Sequence, residues 1–472
     1  MSFQNAEFKP EVYESCGEVT IYGTTIPYKS ICQDNLIYDE AGKAIGSMFT
    51  YSYFRSDVED VSQRPVMFFF NGGPGSGSLW LHVGLFGPLR MTFPGNPEAV
   101  NTPHVPPYHA VNNEWCLLDI CDLVFVDPVG TGWGRLLDKD AAKRFYGIDE
   151  DAESCKTLIH TWVSTYKRWN SPKYILGESY GTVRASVIAD ILTGQGAELS
   201  GMGLNGLVLL GNAMGNTDAM LKFDCEAILL DLPTMAAANW FHNRVKFGLT
   251  MTLKEFVDEC YEFCDKDFVV ALMAGTALCD AERDRIAERV AYFSGLTKKE
   301  VLKQNLRPDM GLSWKQVIED QGEEIGRLDG RFTLPFGTRT GKGEGVALIQ
   351  YTPSFMAIIN GPVKDALKIT HNREYYAISR RDGYEWNRKP KNLPYECLSA
   401  AMRRNRKLRV MFATGYYDMA CTIGQARYLA RHGGYDKERV EITEYASGHM
   451  VYLGEEPGQQ FAEDVRAFIL KG

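Results

Sequence analysis

Nucleophilic acyl chemistry needs a hydroxyl or thiol, a base to take its proton, and donors for the oxyanion that forms. Gly177-Glu178-Ser179-Tyr180-Gly181 is a G-x-S-x-G sequence, preceded by the apolar run Tyr174–Leu176 and followed by the helical pattern GTVRASVIADIL. A strand, a sharp turn carrying the serine and then a helix is the context a nucleophile elbow requires. Its glycines leave room for the turn, and the helix N-terminus aims N–H groups and positive dipole at the developing charge. Glycine and serine are common, so the five residues carry weight only with these flanks.

A serine hydroxyl is a poor nucleophile at neutral pH, so a base and an orienting carboxylate should follow. On strand–elbow–helix scaffolds the chain order is Ser, then Asp or Glu, then His. Of eight histidines, His371, His432 and His449 lie beyond the helix-rich middle of the chain. His449 stands in Ala446-Ser447-Gly448-His449-Met450, a small-residue loop after the predicted strand RVEITEY. His371 and His432 sit among charged residues and are expected to be exposed. Asp418, in Thr414-Gly415-Tyr416-Tyr417-Asp418-Met419, follows the apolar run LRVMFA, where a loop at the end of a parallel strand is expected. In this scheme Ser179 attacks a carbonyl, His449 takes its proton, and Asp418 holds the imidazole tautomer.

The run Asn71-Gly72-Gly73-Pro74-Gly75-Ser76-Gly77-Ser78 also follows a strand. It lacks the Gly-Lys-Ser/Thr ending of a phosphate-binding loop, whereas glycines after an early strand suit an oxyanion hole. Cys260 and Cys264 are four residues apart on a predicted helix, but no second Cys or His pair follows at zinc-finger spacing, so they read as structural. No metal or cofactor is expected.

The elements that must position these residues are continuous apolar runs: Arg64–Asn71, Cys121–Pro128, Tyr174–Leu176, Leu204–Gly211 and Leu408–Gly415. Such runs suit strands covered on both faces. Helical patterns over Asp151–Arg168 and Thr182–Leu192 alternate with them, which predicts a mostly parallel α/β sheet. The N-terminal stretch from GEVTIYG to IGSMFTYSYF alternates and predicts an antiparallel edge. Between residues 215 and 345 helix formers dominate. The expected organisation is therefore a first core segment at 1–214, a helical cap insertion at 215–345 and a second core segment at 346–472.

The chain has 472 residues, 45% hydrophobic and 24% charged, which is globular composition with ample material for a core. A net charge of −9 excludes an overall basic surface for nucleic acid. No apolar stretch approaches the roughly 18 residues of a membrane helix, and the polar start MSFQNAEFKPEVYESCGEVT does not read as a signal peptide. Eleven scattered cysteines, an odd number, point to free thiols and a cytoplasmic location.

Six ordered segments, FNGGPGSGS, DLVFVDPVGTGWG, GESYG, LLGNAMGN, TGYYD and SGHM, resemble the motifs of serine carboxypeptidases. LWLHVGLFGP and GRLDGRF look most like bacterial members. The resemblance covers roughly residues 40–215 and 350–470 and implies an α/β-hydrolase fold with an insertion over the active site. It implies Ser179, Asp418 and His449 as the triad and the backbone N–H groups of Gly73 and Tyr180 as oxyanion donors. It further implies that Asn71, Gly72 and a protonated Glu178 hold the substrate's C-terminal carboxylate. Two carboxyls sit together only if one keeps its proton, so binding is expected to favour acidic pH.

Three departures stand out. The family's second glutamate, in an E-L-G-P segment, is replaced here by Leu85 in Leu85-Phe86-Gly87-Pro88. Phe69 stands for a tryptophan, and Ser76 for a cysteine of the secretory disulfides. The leading expectation is a carboxypeptidase acting on peptides. An esterase, amidase or acyltransferase for small acylated metabolites is the alternative Leu85 keeps open, a non-catalytic binding protein is a remote third, and no named residue supports a hydroxynitrile lyase. An exposed helical cap also offers a surface for a homodimer.

Overall fold

The computed structural model describes residues 8–93, 105–194, 201–214, 227–245, 250–338, 345–379 and 384–472. Among these, one sheet of ten strands dominates. Its order in space runs Val12–Ile21, Thr24–Tyr38, Ala44–Arg55, Asp122–Asp127, Val66–Phe70, Lys173–Glu178, Gly206–Leu210, Arg409–Gly415 and Val440–Tyr445, with the short Arg135–Leu136 added against Ala44–Arg55.

The first three strands pair antiparallel, as their alternation predicts, and the last six are parallel. Side chains of the central strand divide between the two faces. Met67 and Phe69 join one apolar core, while Val66, Phe68 and Phe70 join the other. Helices Ile148–Thr165, Tyr180–Thr193 and Pro394–Arg404 cover the second face, and Val346–Ile358 and Glu455–Leu470 the first. Burial on both faces is why these strands read as unbroken apolar runs.

Helices Ala227–Phe241, Leu253–Phe263 and Asp280–Ser294 lie in the segment read as a cap and enclose an apolar core of their own around Phe256, Phe263, Val290 and Phe293. The helix Leu253–Phe263 starts at a capping box in which Thr252 and Glu255 each bond the other's backbone N–H. Cys260 and Cys264 pack into this core. A hairpin of Glu323–Ile325 and Thr333–Pro335 follows the helices, an element helix-forming composition did not predict. The expected boundary at residue 215 lies outside the described residues. No helix of the described residues is long and apolar enough to cross a membrane.

His371 corrects an expectation of exposure. Its ring is buried, 4.7 Å from Trp133 and 6.0 Å from Phe49 between centroids, and burial lowers its pKa to about 4. The neighbouring Arg373 supplies the charged flank, pairing with Asp34, while the imidazole points inward. His432 is exposed as expected and stacks on Tyr428 at 4.0 Å.

Candidate active site

The residues singled out above gather at the C-terminal ends of the parallel strands, where ligands bind in open α/β sheets. Ser179 sits between the strand Lys173–Glu178 and the helix Tyr180–Thr193 with φ 58° and ψ −125°. Positive φ at a non-glycine residue costs on the order of 1–3 kcal/mol, so the surrounding structure must enforce it. Ser179 N donates to Leu210 O at 2.8 Å, and Ser179 O accepts from Thr182 N at 2.8 Å. A side chain at Gly177 would come within 2.1 Å of Gly181 O, and one at Gly181 within 2.4 Å of Phe70 O. The flanking glycines are thus required by close backbone approach.

The loop after Val66–Phe70 closes on this elbow. A Cβ on Gly72 would lie 2.6 Å from both Ser179 Cβ and Tyr180 N. Gly72→Ala is therefore expected to lower kcat at least tenfold, by about 1.4 kcal/mol of transition-state stabilisation, while labelling of Ser179 persists more slowly; unchanged kcat would show that the loop tolerates displacement. Gly73 adopts φ 105°, and Tyr180 opens the helix, whose first N–H groups have no partner within it. Both line the cleft that also holds Ser179.

Asp127, which sequence reasoning did not single out, anchors the far end of that loop. Its buried carboxylate accepts from Ser78 N at 2.7 Å, Ser78 Oγ at 2.9 Å, Tyr51 OH at 3.0 Å, Trp133 N at 3.1 Å and Tyr375 OH at 3.2 Å. The motifs containing Asn71 and Asp127 interlock here, since Gly77 and Gly132 leave no room for a Cβ beside the carboxylate. Arg184 plays a similar part below the elbow, donating to Asn71 O at 2.8 Å and pairing with Asp151 at 2.7 Å.

Asp418 is fully buried after the strand Arg409–Gly415 and bonds His449 Nδ1 through Oδ2 at 2.7 Å. Its other oxygen accepts from Ala420 N at 2.9 Å and Cys421 N at 2.8 Å. Burial pulls the His449 pKa down, but the adjacent Asp418 carboxylate outweighs this and holds it above the ordinary histidine value. Gly211, at φ 58°, brings its backbone to the pair: a Cβ there would lie 3.0 Å from His449 Nδ1.

The segment Arg327-Leu328-Asp329-Gly330-Arg331 braces the histidine loop from the other side. His449 N donates to Leu328 O at 2.7 Å, and Gly330 N to Tyr417 O at 2.9 Å. Arg331, buried, pairs with Asp329 at 2.7 Å and donates to Ser447 Oγ at 2.9 Å and Leu453 O at 2.8 Å.

Asn71, Gly72, Gly73, Glu178, Ser179, Tyr180 and His449 line one cleft of about 400 Å³, with Asp418 beneath it. Cys421, missed in the sequence, also lines it, and Cys421, Asp418 and His449 each place one ligand atom within 4.8 Å of the others. The grouping arises because Asp418 is already held by His449 and two backbone donors, with the thiol alongside. Glu178 is buried; Asn71 Nδ2 donates to its Oε2 at 2.7 Å, and Tyr452 OH lies 3.1 and 3.0 Å from its two oxygens. Asn71 Oδ1 accepts from Leu81 N at 3.1 Å, which turns the amide's N–H groups towards Glu178. Burial raises Glu178 to about 7, against the pull of His449, Tyr452 and Asn71.

A strained serine on an elbow, a His–Asp pair in the same cleft and a doubly covered parallel sheet define a serine hydrolase of α/β-hydrolase fold. A family model described as serine carboxypeptidase matches residues 38–459, and the chain belongs to that family. Serine carboxypeptidase-like 20 of Arabidopsis thaliana is 26% identical over 208 residues, spanning 43% of this chain and 38% of that protein. Kex1(delta)p, a prohormone-processing carboxypeptidase from Saccharomyces cerevisiae, shares the fold at TM-score 0.56 and 14% identity, over 93% of this chain and 90% of that one. A proline iminopeptidase of Mycobacterium smegmatis aligns over 93% of this chain and 98% of its own, at 12% identity and TM-score 0.38.

Proposed function

We propose that this protein removes residues from peptide C-termini through an acyl-enzyme on Ser179. His449 takes the hydroxyl proton and returns it to the leaving amine, Asp418 orients the imidazole, and the N–H groups of Gly73 and Tyr180 receive the oxyanion. Water, activated by His449, then releases the acyl group. Asn71, Gly72 and Glu178 hold the substrate's free carboxylate on the leaving-group side.

The observation that carries this reading is Glu178, a carboxyl buried beside Ser179 and raised to about 7. Protonated, it donates to a substrate carboxylate; ionised, it repels one. The sign follows: carboxylate binding is strong below pH 7 and is lost as pH rises through that value. Catalysis itself needs neutral His449, so kcat rises with pH. The profile of kcat/KM is expected to be bell-shaped, its limbs belonging to the interacting pair.

Blocked dipeptides compared with their C-terminal amides test this. The free acids are expected to win at acidic pH, by at least tenfold in kcat/KM, about 1.4 kcal/mol. Glu178→Gln keeps a donor and cannot ionise, so its KM should lose the alkaline rise. Amides cleaved as well as acids at acidic pH would rule out carboxylate recognition.

Leu85, buried at the place of the family's second glutamate, favours a second reading as an esterase or acyltransferase. An added alcohol or amine would then capture the acyl group ahead of water, and product analysis with such acceptors reads this directly.

A further inference from the structure

Glu178 has a buried hydroxyl partner on the loop that carries His449. Leu85 lies in the helical turn His82–Phe86, fully buried. Its neighbour Gly84 has no side chain, and the rings of Tyr452 and Phe355 occupy the space: a Cβ on Gly84 would lie 2.9 Å from Tyr452 Cδ2 and Cε2 and from Phe355 Cε1. From there the Tyr452 hydroxyl reaches Glu178 Oε1 at 3.1 Å and Oε2 at 3.0 Å. Tyr452 is fully buried and does not line the cleft, whereas Glu178 does. It stands three residues after His449, so one loop supplies the base and this hydroxyl together.

We propose that the Tyr452 hydroxyl governs how readily Glu178 holds the proton that binds a substrate carboxylate. This rests on the carboxylate-reading function above and makes Tyr452 a positioning residue acting through Glu178. A phenol is a donor that never brings a second negative charge. Burial first, and then the charge of Glu178, hold its pKa well above the ordinary tyrosine value, so it stays protonated wherever the enzyme works. A donor favours the ionised form of the carboxyl it touches. The other titratable groups facing Glu178 are His449, which favours its charge, and Asp418, which opposes it; Asn71 adds a neutral donor.

The test is the pH profile of KM and kcat for Tyr452→Phe, with wild type and Glu178→Gln alongside, using blocked dipeptides and their amides. Phenylalanine keeps the ring against Gly84 and removes only the donor. The alkaline rise in KM for free acids is expected to move about one unit higher. Above that point the variant's KM would be about tenfold lower than that of wild type. Its kcat and its KM for amides should be unchanged. A rise that disappears in Glu178→Gln but stays in place in Tyr452→Phe overturns this inference alone. A wild-type KM for free acids without an alkaline rise overturns the carboxylate reading and this inference with it.

A second measurement does not depend on substrate. Unfolding midpoints of wild type, both single variants and the double variant form a cycle read from acidic to alkaline pH. The coupling between positions 178 and 452 should grow as pH rises through about 7, because the hydroxyl then serves an ionised partner. Coupling that does not change with pH would also overturn the proposal.

Discussion

Ser179→Ala is expected to lower kcat on the order of 10⁶-fold and to abolish labelling by a fluorophosphonate, with the fold intact. The size follows from what the other groups can do alone. In the proposed mechanism the N–H groups of Gly73 and Tyr180 and the cleft would still bind and polarise a carbonyl, which leaves the residual rate such sites retain over water, about 10³–10⁴-fold. The fold survives because the elbow is held by the backbone of Ser179, through its bonds to Leu210 and Thr182, and alanine keeps both. Ser179→Gly provides a check on the strain at φ 58°: glycine accepts this conformation freely, so the variant is expected to unfold no earlier than Ser179→Ala. Activity of the alanine variant within tenfold of wild type, in protein free of contaminating hydrolase, would remove Ser179 from the chemistry.

Much of this site was legible because its chemistry is carried by residues in short, self-contained contexts. Ser179 is flagged by glycines that neighbouring backbone forces on the chain, and the parallel strands by apolar runs that two covered faces require. Asp418 and His449 are legible through chain order, since each follows a strand of that sheet. The residues that escaped notice work across long separations. Asp127 is an ordinary strand-end aspartate until Ser78, Tyr51 and Tyr375 are seen to converge on it. Tyr452 reads as one more apolar residue after SGHM; only the gap at Gly84 and the bond from its hydroxyl to Glu178 give it a role. His371 departs from the expected exposure for the converse reason. Charged neighbours in sequence describe the strand of chain, not the direction in which one ring points, and Trp133 and Phe49 lie far away in number.

Arg331→Met is expected to cost about 3–5 kcal/mol in stability and to reduce kcat as well, although position 331 does not line the cleft. The cost arises at Asp329. Its side chain is 1% exposed, and Arg331 donates to both of its oxygens through Nε and Nη2, at 3.0 and 2.7 Å. Without the guanidinium the carboxylate is a buried charge that has lost its ion-pair partner. The loss of activity follows from what else Arg331 holds. It fixes Ser447 Oγ and Leu453 O on either side of His449, while Leu328, three residues earlier, accepts the His449 N–H. Gly448 packs so closely on Asp329 that a Cβ would lie 2.3 Å from its Cγ, so a shift of Asp329 is passed to the neighbouring His449. Denaturant unfolding with phosphonate labelling rates separates the two effects. The double variant Asp329→Asn/Arg331→Met removes the uncompensated charge but not the lost donors to Ser447 and Leu453. Its stability should fall between wild type and Arg331→Met, while its labelling rate stays as low as that of the single variant. A single variant that unfolds with wild-type stability would show that Asp329 finds another partner, and recovery of labelling in the double variant would show that charge alone, rather than the tether on the loop, places His449.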